Sequence, residues 1–162
     1  MSGADRVVMN SGGDRLLATM GPARLSHPEQ YGTIMDDLAN KGVDVRFTEG
    51  QFAYGPSATR GVPGNLVLDP DASMSALRHE YGHFLDDQAL GFPGQRFYYE
   101  SPDFRLASEP SQYLGEIRTA RQLGDDAARA QLIRDYLGEK SYLIDRYYFT
   151  QDGKPIPYGT LR

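Results

Sequence analysis

The stretch Leu77-Arg78-His79-Glu80-Tyr81-Gly82-His83-Phe84-Leu85-Asp86 holds the residues of this chain best able to do chemistry. On a helix, His79 and His83 stand four positions apart on one face, one turn above the other. Two neutral imidazoles at that spacing can hold one zinc ion. Glu80 lies one position round from the first imidazole, badly placed to bind the same ion but able to reach a water beside it. The arrangement H-E-x-x-H therefore suits metal-assisted hydrolysis with Glu80 as general base. With 3 histidines and seven glutamates in 162 residues, accident produces it only about 0.002 times. A pair that merely caps or packs a surface helix is the competing reading. Ala76, Leu77, Phe84 and Leu85 beside it argue for burial, and a buried imidazole pair next to a buried carboxylate needs a partner.

A catalytic zinc takes three protein ligands and keeps one position open. The chain has no cysteine, so the third ligand is a histidine or an acid. Six residues after His83, where a third histidine would follow in the histidine-rich variant of the motif, stands Ala89. Glu109 and Glu116 are the leading acids; they are seven residues apart and so share one helix face. Glu109 sits where a helix would begin and Glu116 further in, where it could instead pair with Arg78. Asp86, Asp87 and Asp103 are weaker candidates. Asp86 and Asp87 fit better as outer carboxylates that accept a proton from a ligand imidazole and fix its tautomer.

These residues need elements to hold them. Ser26 and Pro28 signal a helix start, with Ser26 as cap, and Tyr31, Ile34, Met35 and Leu38 repeat at helical spacing until Gly42, which predicts a helix over 28–40. His27, at its entrance, reads as a surface or capping residue. Val43, Val45 and Phe47 alternate with polar neighbours as a half-buried strand over 43–48. Residues 49–64, rich in Gly, Pro and Ser, read as a long loop, and 65–69 as a short strand, either the sheet edge beside the cleft, free to pair with an extended peptide, or an ordinary interior strand. The helix carrying the histidines runs over about 72–89, capped by Asp71 or Ser73. An aromatic loop over 91–107 carries Phe92, Phe97, Tyr98, Tyr99 and Phe104, any of whose tyrosines could support an oxyanion. Ser108 then caps a helix with the stripe Tyr113, Ile117, Ala120 and Leu123, ended by Gly124; another opens at Asp125, and Tyr142 to Phe149 forms a further helical stretch.

Composition narrows the function classes. The net charge is −5 and the sequence pI is near 5.1, with no basic stripe, which argues against a nucleic-acid partner. No run of about 18 apolar residues is present to span a membrane, and the start shows no signal-peptide core.

The order Gly61-Val62-Pro63-Gly64-Asn65-Leu66-Val67-Leu68-Asp69, then Ser75 to Asp87, then Glu109 with Tyr113, Glu116-Ile117 and Ala120 to Gly124, resembles the zincin-type metallopeptidase domains at the C-termini of bacterial polymorphic toxins. The resemblance spans about residues 28–138 and is of the gluzincin type. It implies a compact zincin fold, a zinc cofactor, delivery by a larger secreted protein and a cognate immunity protein in the producer. It also implies His79 and His83 as ligands, Glu80 as base and Glu109 as the downstream acid. Gln112 and Pro110 depart from the family pattern around that acid, which keeps Glu116 open.

The expectation is an α+β chain: a small sheet packed on the H-E-x-x-H helix, with a helical C-terminal half supplying the third ligand. Residues 1–25 read as a loose leader or linker, 26–150 as a zincin-like domain and 151–162 as a tail. The expected activity is zinc-dependent hydrolysis of protein or peptide bonds by a toxin effector, secreted or delivered into a target cell, or otherwise cytoplasmic. A degenerate zincin serving as a binding module, and a zinc hydrolase of a non-peptide bond, are the alternatives.

Overall fold

The computed structural model describes residues 9–10 and 13–145. The chain is α+β. Its sheet has four strands in the order β1-β3-β4-β2, formed by β1 (Met9–Asn10), β2 (Asp44–Phe47), β3 (Phe52–Gly55) and β4 (Asn65–Leu68). β4 runs parallel to β2 and antiparallel to β3, while β1 pairs antiparallel with the far side of β3. β4 is therefore interior, with both sides already paired. Of the two placings open to residues 65–69, it takes the interior one and is not a free edge; β3 lies inside the stretch read as loop, where four residues flanked by Gly and Pro carry too little pattern. β2 lies at an edge, and Phe47, expected to face inward, is 50% exposed.

Seven helices join the strands among the described residues: α1 (Leu17–Met20), α2 (Ala23–Ser26), α3 (Pro28–Asn40), α4 (Met74–Ala89), α5 (Gln95–Glu100), α6 (Pro102–Leu123) and α7 (Asp126–Ile144). Alternate residues of β3 and β4 build one apolar face, with Phe52, Tyr54, Leu66 and Leu68 all buried. That face takes Leu77 and Phe84 from α4 and packs with Leu38, Ile34 and Met35 of α3. The expected 28–40 helix is α3, but Ser26 ends α2 instead of capping it; His27 holds the N-cap position and its Nδ1 lies 2.8 Å from Ser26 Oγ.

Residues 13–25, expected to be a loose leader, are packed into the fold. Leu16 and Ala23 are buried, and Leu16 meets Ala120, Ala128 and Leu132 of α6 and α7. Asp14 receives hydrogen bonds of 2.6 Å from both the N–H and the hydroxyl of Ser73. Ser73 in turn caps α4 by accepting from Ala76 N at 3.1 Å. The helix that carries the histidines is thus anchored at its first turn to the N-terminal segment.

The second correction concerns the region read as an aromatic loop and a helix capped by Ser108. Phe97, Tyr98 and Phe104 pack together and draw the chain into α5 and an α6 that starts at Pro102. Ser108 is inside α6, and so is Pro110, whose missing N–H leaves the Leu106 carbonyl without its helical donor. Such a helix interior costs about 3 kcal/mol, offset here by tertiary burial that local propensity does not register. α6 ends at Gly124 with φ +70°, and Asp125 caps α7 by accepting from Ala128 N. The part of the 142–149 helix beyond Asp145, and the 151–162 tail, lie outside the described residues. No helix among the described residues is long and apolar enough to cross a membrane.

Candidate metal centre

α4 and α6 pack against each other and bring two faces together. From α4 come His79, Glu80 and His83, each no more than 1% exposed; from α6 come Glu109 and Glu116, at 3% and 4%. Ligand atoms of His79, His83 and Glu109 all lie within 4.8 Å of one another, and this is the one such group found among the described residues. Glu109 Oε1 is 3.5 Å from His83 Nε2. The two imidazoles stand edge to face, with centroids 5.0 Å apart.

Glu116 takes a different place. Its Oε2 is 2.8 Å from His79 Nδ1, the imidazole N–H donating to the carboxylate, and its Oε1 accepts from Ser75 Oγ at 3.0 Å. That bond fixes the tautomer of His79 and turns Nε2 towards His83 and Glu109, the arrangement by which an outer carboxylate aims a ligand imidazole. The edge of Tyr113 packs on the same ring at 4.9 Å, and Tyr136 of α7 backs Tyr113 at 5.5 Å. A groove of about 300 Å³ bounded by Ser75, Arg78, Gln112 and Glu116 runs between α4 and α6 and reaches His79.

The other acids considered from the sequence stand apart. Asp86 is half-buried and lies 3.4 Å from Gln112 Nε2, and Asp103 is exposed in the first turn of α6. Asp87 is buried but accepts from the hydroxyls of Tyr54 and Tyr98, each at 2.5 Å, not from a ligand imidazole. It ties α4 to β3 and α5, and it commits the Tyr98 hydroxyl. Gly82, inside the motif, has its own purpose: a Cβ there would lie 1.9 Å from the Gln112 amide oxygen, so the bare α-carbon admits that side chain against α4.

The electrostatics of the cluster follow from burial among acids. Burial opposes charge on His79, but the bond to Glu116 and the fields of Glu80, Glu116 and Glu109 outweigh it and raise its pKa to about 9. Burial pushes His83 well below the ordinary range, reinforced by the charges of His79 and Arg105. Burial likewise raises Glu109 to about 8, opposed by His79 and reinforced by Glu139 and Glu80. His83 and Glu109 are thus both held towards their neutral forms, so their 3.5 Å approach is not an ion pair. Of the three, only His79 is held towards its charged form.

Four atoms make the same point by hydrogen bonding. His79 Nε2, His83 Nδ1 and Nε2, and Glu109 Oε2 are buried without a hydrogen-bond partner. Leaving a buried polar atom unpaired costs about 1–3 kcal/mol, so several in one place call for a ligand. Two imidazoles and a carboxylate are a donor set that fits zinc. Sequence reasoning missed Arg105, which is 2% exposed on the same side of α6, and Glu139 of α7. The signal was available: Arg105, Glu109, Tyr113 and Glu116 recur at helical spacing, a polar stripe running ahead of the apolar one. No family model, curated protein or solved structure matches this chain.

Proposed function

We propose that this protein is a zinc-dependent peptidase of zincin type, the effector domain of a bacterial toxin, with His79, His83 and Glu109 as ligands and Glu80 as general base. The observation that carries the chemistry is the convergence of three ligand side chains whose facing atoms lack hydrogen-bond partners. The toxin assignment rests on the sequence resemblance, which also supplies an immunity protein as the expected partner and a larger exported protein as the route of delivery.

Zinc, when bound there, supplies Lewis acidity towards a carbonyl and makes a neighbouring water more acidic. The chain's residues do the rest. Glu80, buried beside the ligands, takes a proton from the attacking water and passes it to the nitrogen released when the peptide C–N bond breaks. Glu116 and Ser75 hold His79 in the tautomer that presents Nε2, and Asp87 fixes the other end of α4. The closed cluster keeps bulk water out and strengthens these charges. The groove between α4 and α6 reaches His79 and offers a substrate its approach.

Metal analysis of the purified chain should give about one zinc per molecule. Glu80→Gln should keep that zinc and the fold while lowering peptide cleavage by about 10²–10⁴-fold. New protein termini in cells making the wild type but not Glu80→Gln would reveal the substrate. Retention of full activity by the variant would remove Glu80 as base, and absence of zinc after reconstitution would end the metallopeptidase reading.

A further inference from the structure

Ser75, Arg78 and His79 leave α4 three and four positions apart, and Gly115, Arg118 and Thr119 leave α6 at the same spacing. The two triplets are opposite walls of the groove of about 300 Å³, and the buried Glu116 joins His79 in its lining. Two exposed guanidiniums therefore stand on the rim, one from each helix. Elsewhere Arg15, Arg24, Lys41 and Arg96 each meet a carboxylate. Arg78 and Arg118 pair with no acid among the described residues; Arg78 donates instead to the neutral amide of Gln30, at 2.5 Å, which holds it from α3. The sequence supplies the reason. The positions three and four away hold Met74, Ser75, Tyr81 and Gly82 around Arg78, and Leu114, Gly115, Arg121 and Gln122 around Arg118, none of them acidic. Glu116 does not neutralise the rim, since its two oxygens are engaged by Ser75 and His79. Gly115 adds a separate sign. A Cβ there would meet nothing within 4 Å, so no packing contact of the fold requires the glycine. Glycine inside a helix costs stability relative to alanine, and what its missing side chain leaves here is width in the groove.

Resting on the peptidase reading, we propose that this groove is a specificity subsite that takes an acidic side chain of the substrate between Arg78 and Arg118. His79 belongs both to the ligand set and to the groove, so a peptide held at the metal centre lays a neighbouring residue against these walls. A carboxylate matches the fork of N–H groups that each guanidinium presents. One exposed ion pair contributes little; two guanidiniums on opposite walls, one of them already steadied by Gln30, grip a single carboxylate from both sides. The same pair repels a lysine or arginine side chain, so the groove discriminates by exclusion as well as by attraction. Both arginines are specificity residues: they choose which peptide is presented and take no part in breaking its bond.

The test uses the full zinc-loaded chain and a peptide library made by digesting a cell proteome, with cleavage sites read by mass spectrometry. From the best-cut sequence, peptides that differ only in Glu, Gln or Lys at each position flanking the cut are compared by kcat/KM. Wild type should favour Glu over Gln by about tenfold at one position and reject Lys there. The double variant Arg78→Gln with Arg118→Gln should cut the Glu and Gln peptides equally well. Arg78→Glu with Arg118→Glu should reverse the order in favour of Lys, with zinc content as in the wild type. Gly115→Leu keeps both charges but fills the groove, and it should erase the preference for Glu as well. A preference that survives Gly115→Leu would place the arginines' effect outside the groove and overturn the proposal. So would a wild type indifferent to charge, or arginine variants that cut the three peptides in the wild-type ratio. A zinc-loaded wild type that cuts no peptide ends the peptidase reading itself, and the subsite with it.

Discussion

α4 carries two buried polar clusters one turn apart, and they are finished in opposite ways. At Asp87 the protein completes its own hydrogen bonding: Tyr54 and Tyr98 each donate to the carboxylate, and Gly64 N donates to the Tyr54 hydroxyl at 3.0 Å. At His79 and His83 it stops short, leaving His79 Nε2, both His83 nitrogens and Glu109 Oε2 without hydrogen-bond partners. Burial raises the pKa of Asp87 while the two tyrosines lower it, so the cost of burial is partly met from within the fold. The His79–His83–Glu109 cluster meets that cost by shifting protons, a shift that a cation bound there would reverse. A satisfied network is a structural joint; an unsatisfied one of the right donor types is a binding site.

The contrast yields predictions of decreasing size. His83→Ala should lower zinc affinity by more than about 100-fold, beyond the range for residues outside the ligand set, yet leave the metal-free fold as stable as wild type or more so, since an unpaired buried imidazole is removed. Calorimetry and zinc competition read both quantities, and a large loss of metal-free stability would show that the imidazole is structural. Asp87→Ala should do the reverse. It strands two tyrosine hydroxyls and should cost about 2–5 kcal/mol of stability by denaturant unfolding, with the folded fraction still holding one zinc.

Glu116→Gln comes next: the hydrogen bond to His79 weakens and zinc affinity should fall by about 10–100-fold with the stoichiometry intact. A complete loss of zinc would instead place Glu116 in the ligand set.

The pH dependence follows from the two raised groups. His79 at about 9 and Glu109 at about 8 both carry protons at neutral pH without metal, so zinc binding releases about two protons and tightens as pH rises from 6 towards 9. For the metal-free fold the sign is opposite. His79 contributes stability that is full below its ordinary pKa and lost as pH rises through about 9; Glu109, held protonated, is also most favourable at low pH and loses that advantage as pH rises through about 8. Melting temperatures should therefore fall from pH 6 to 9 without metal and fall less with zinc; parallel curves would contradict the assigned protons. The smallest effect is expected from Gly82→Ala, where the atoms in the way belong to the flexible end of Gln112, so a loss of about 1 kcal/mol with unchanged zinc content should result.

The sequence was most legible where one helix or one spacing carries the information. H-E-x-x-H, the 28–40 helix and the Gly124 boundary each depend on residues within a few turns, and the structure places all three where the spacing puts them. The choice between Glu109 and Glu116 was not of that kind. Both share a face of α6, and what separates them is how that face meets α4: antiparallel packing sets Glu116 against the Nδ1 side of His79 and Glu109 against His83.

What the sequence left open and what it misplaced share a cause. Residues 65–69 form an interior strand because Phe52 to Gly55 pairs on one side and Asp44 to Phe47 on the other, and pairing across the chain leaves no local signature. Ser108 and Pro110 read as a helix start because a proline in the first turn is favourable; only the packing around Phe97, Tyr98 and Phe104 moves the start back to Pro102. The sequence by itself determined which residue types could hold a metal, at which helical spacing, and that no thiol could join them. The tertiary structure decided which acid completes the cluster, which one orients it, and that Arg105 is buried beside it. Those outcomes depend on contacts between helices far apart in the chain, which local propensity does not contain.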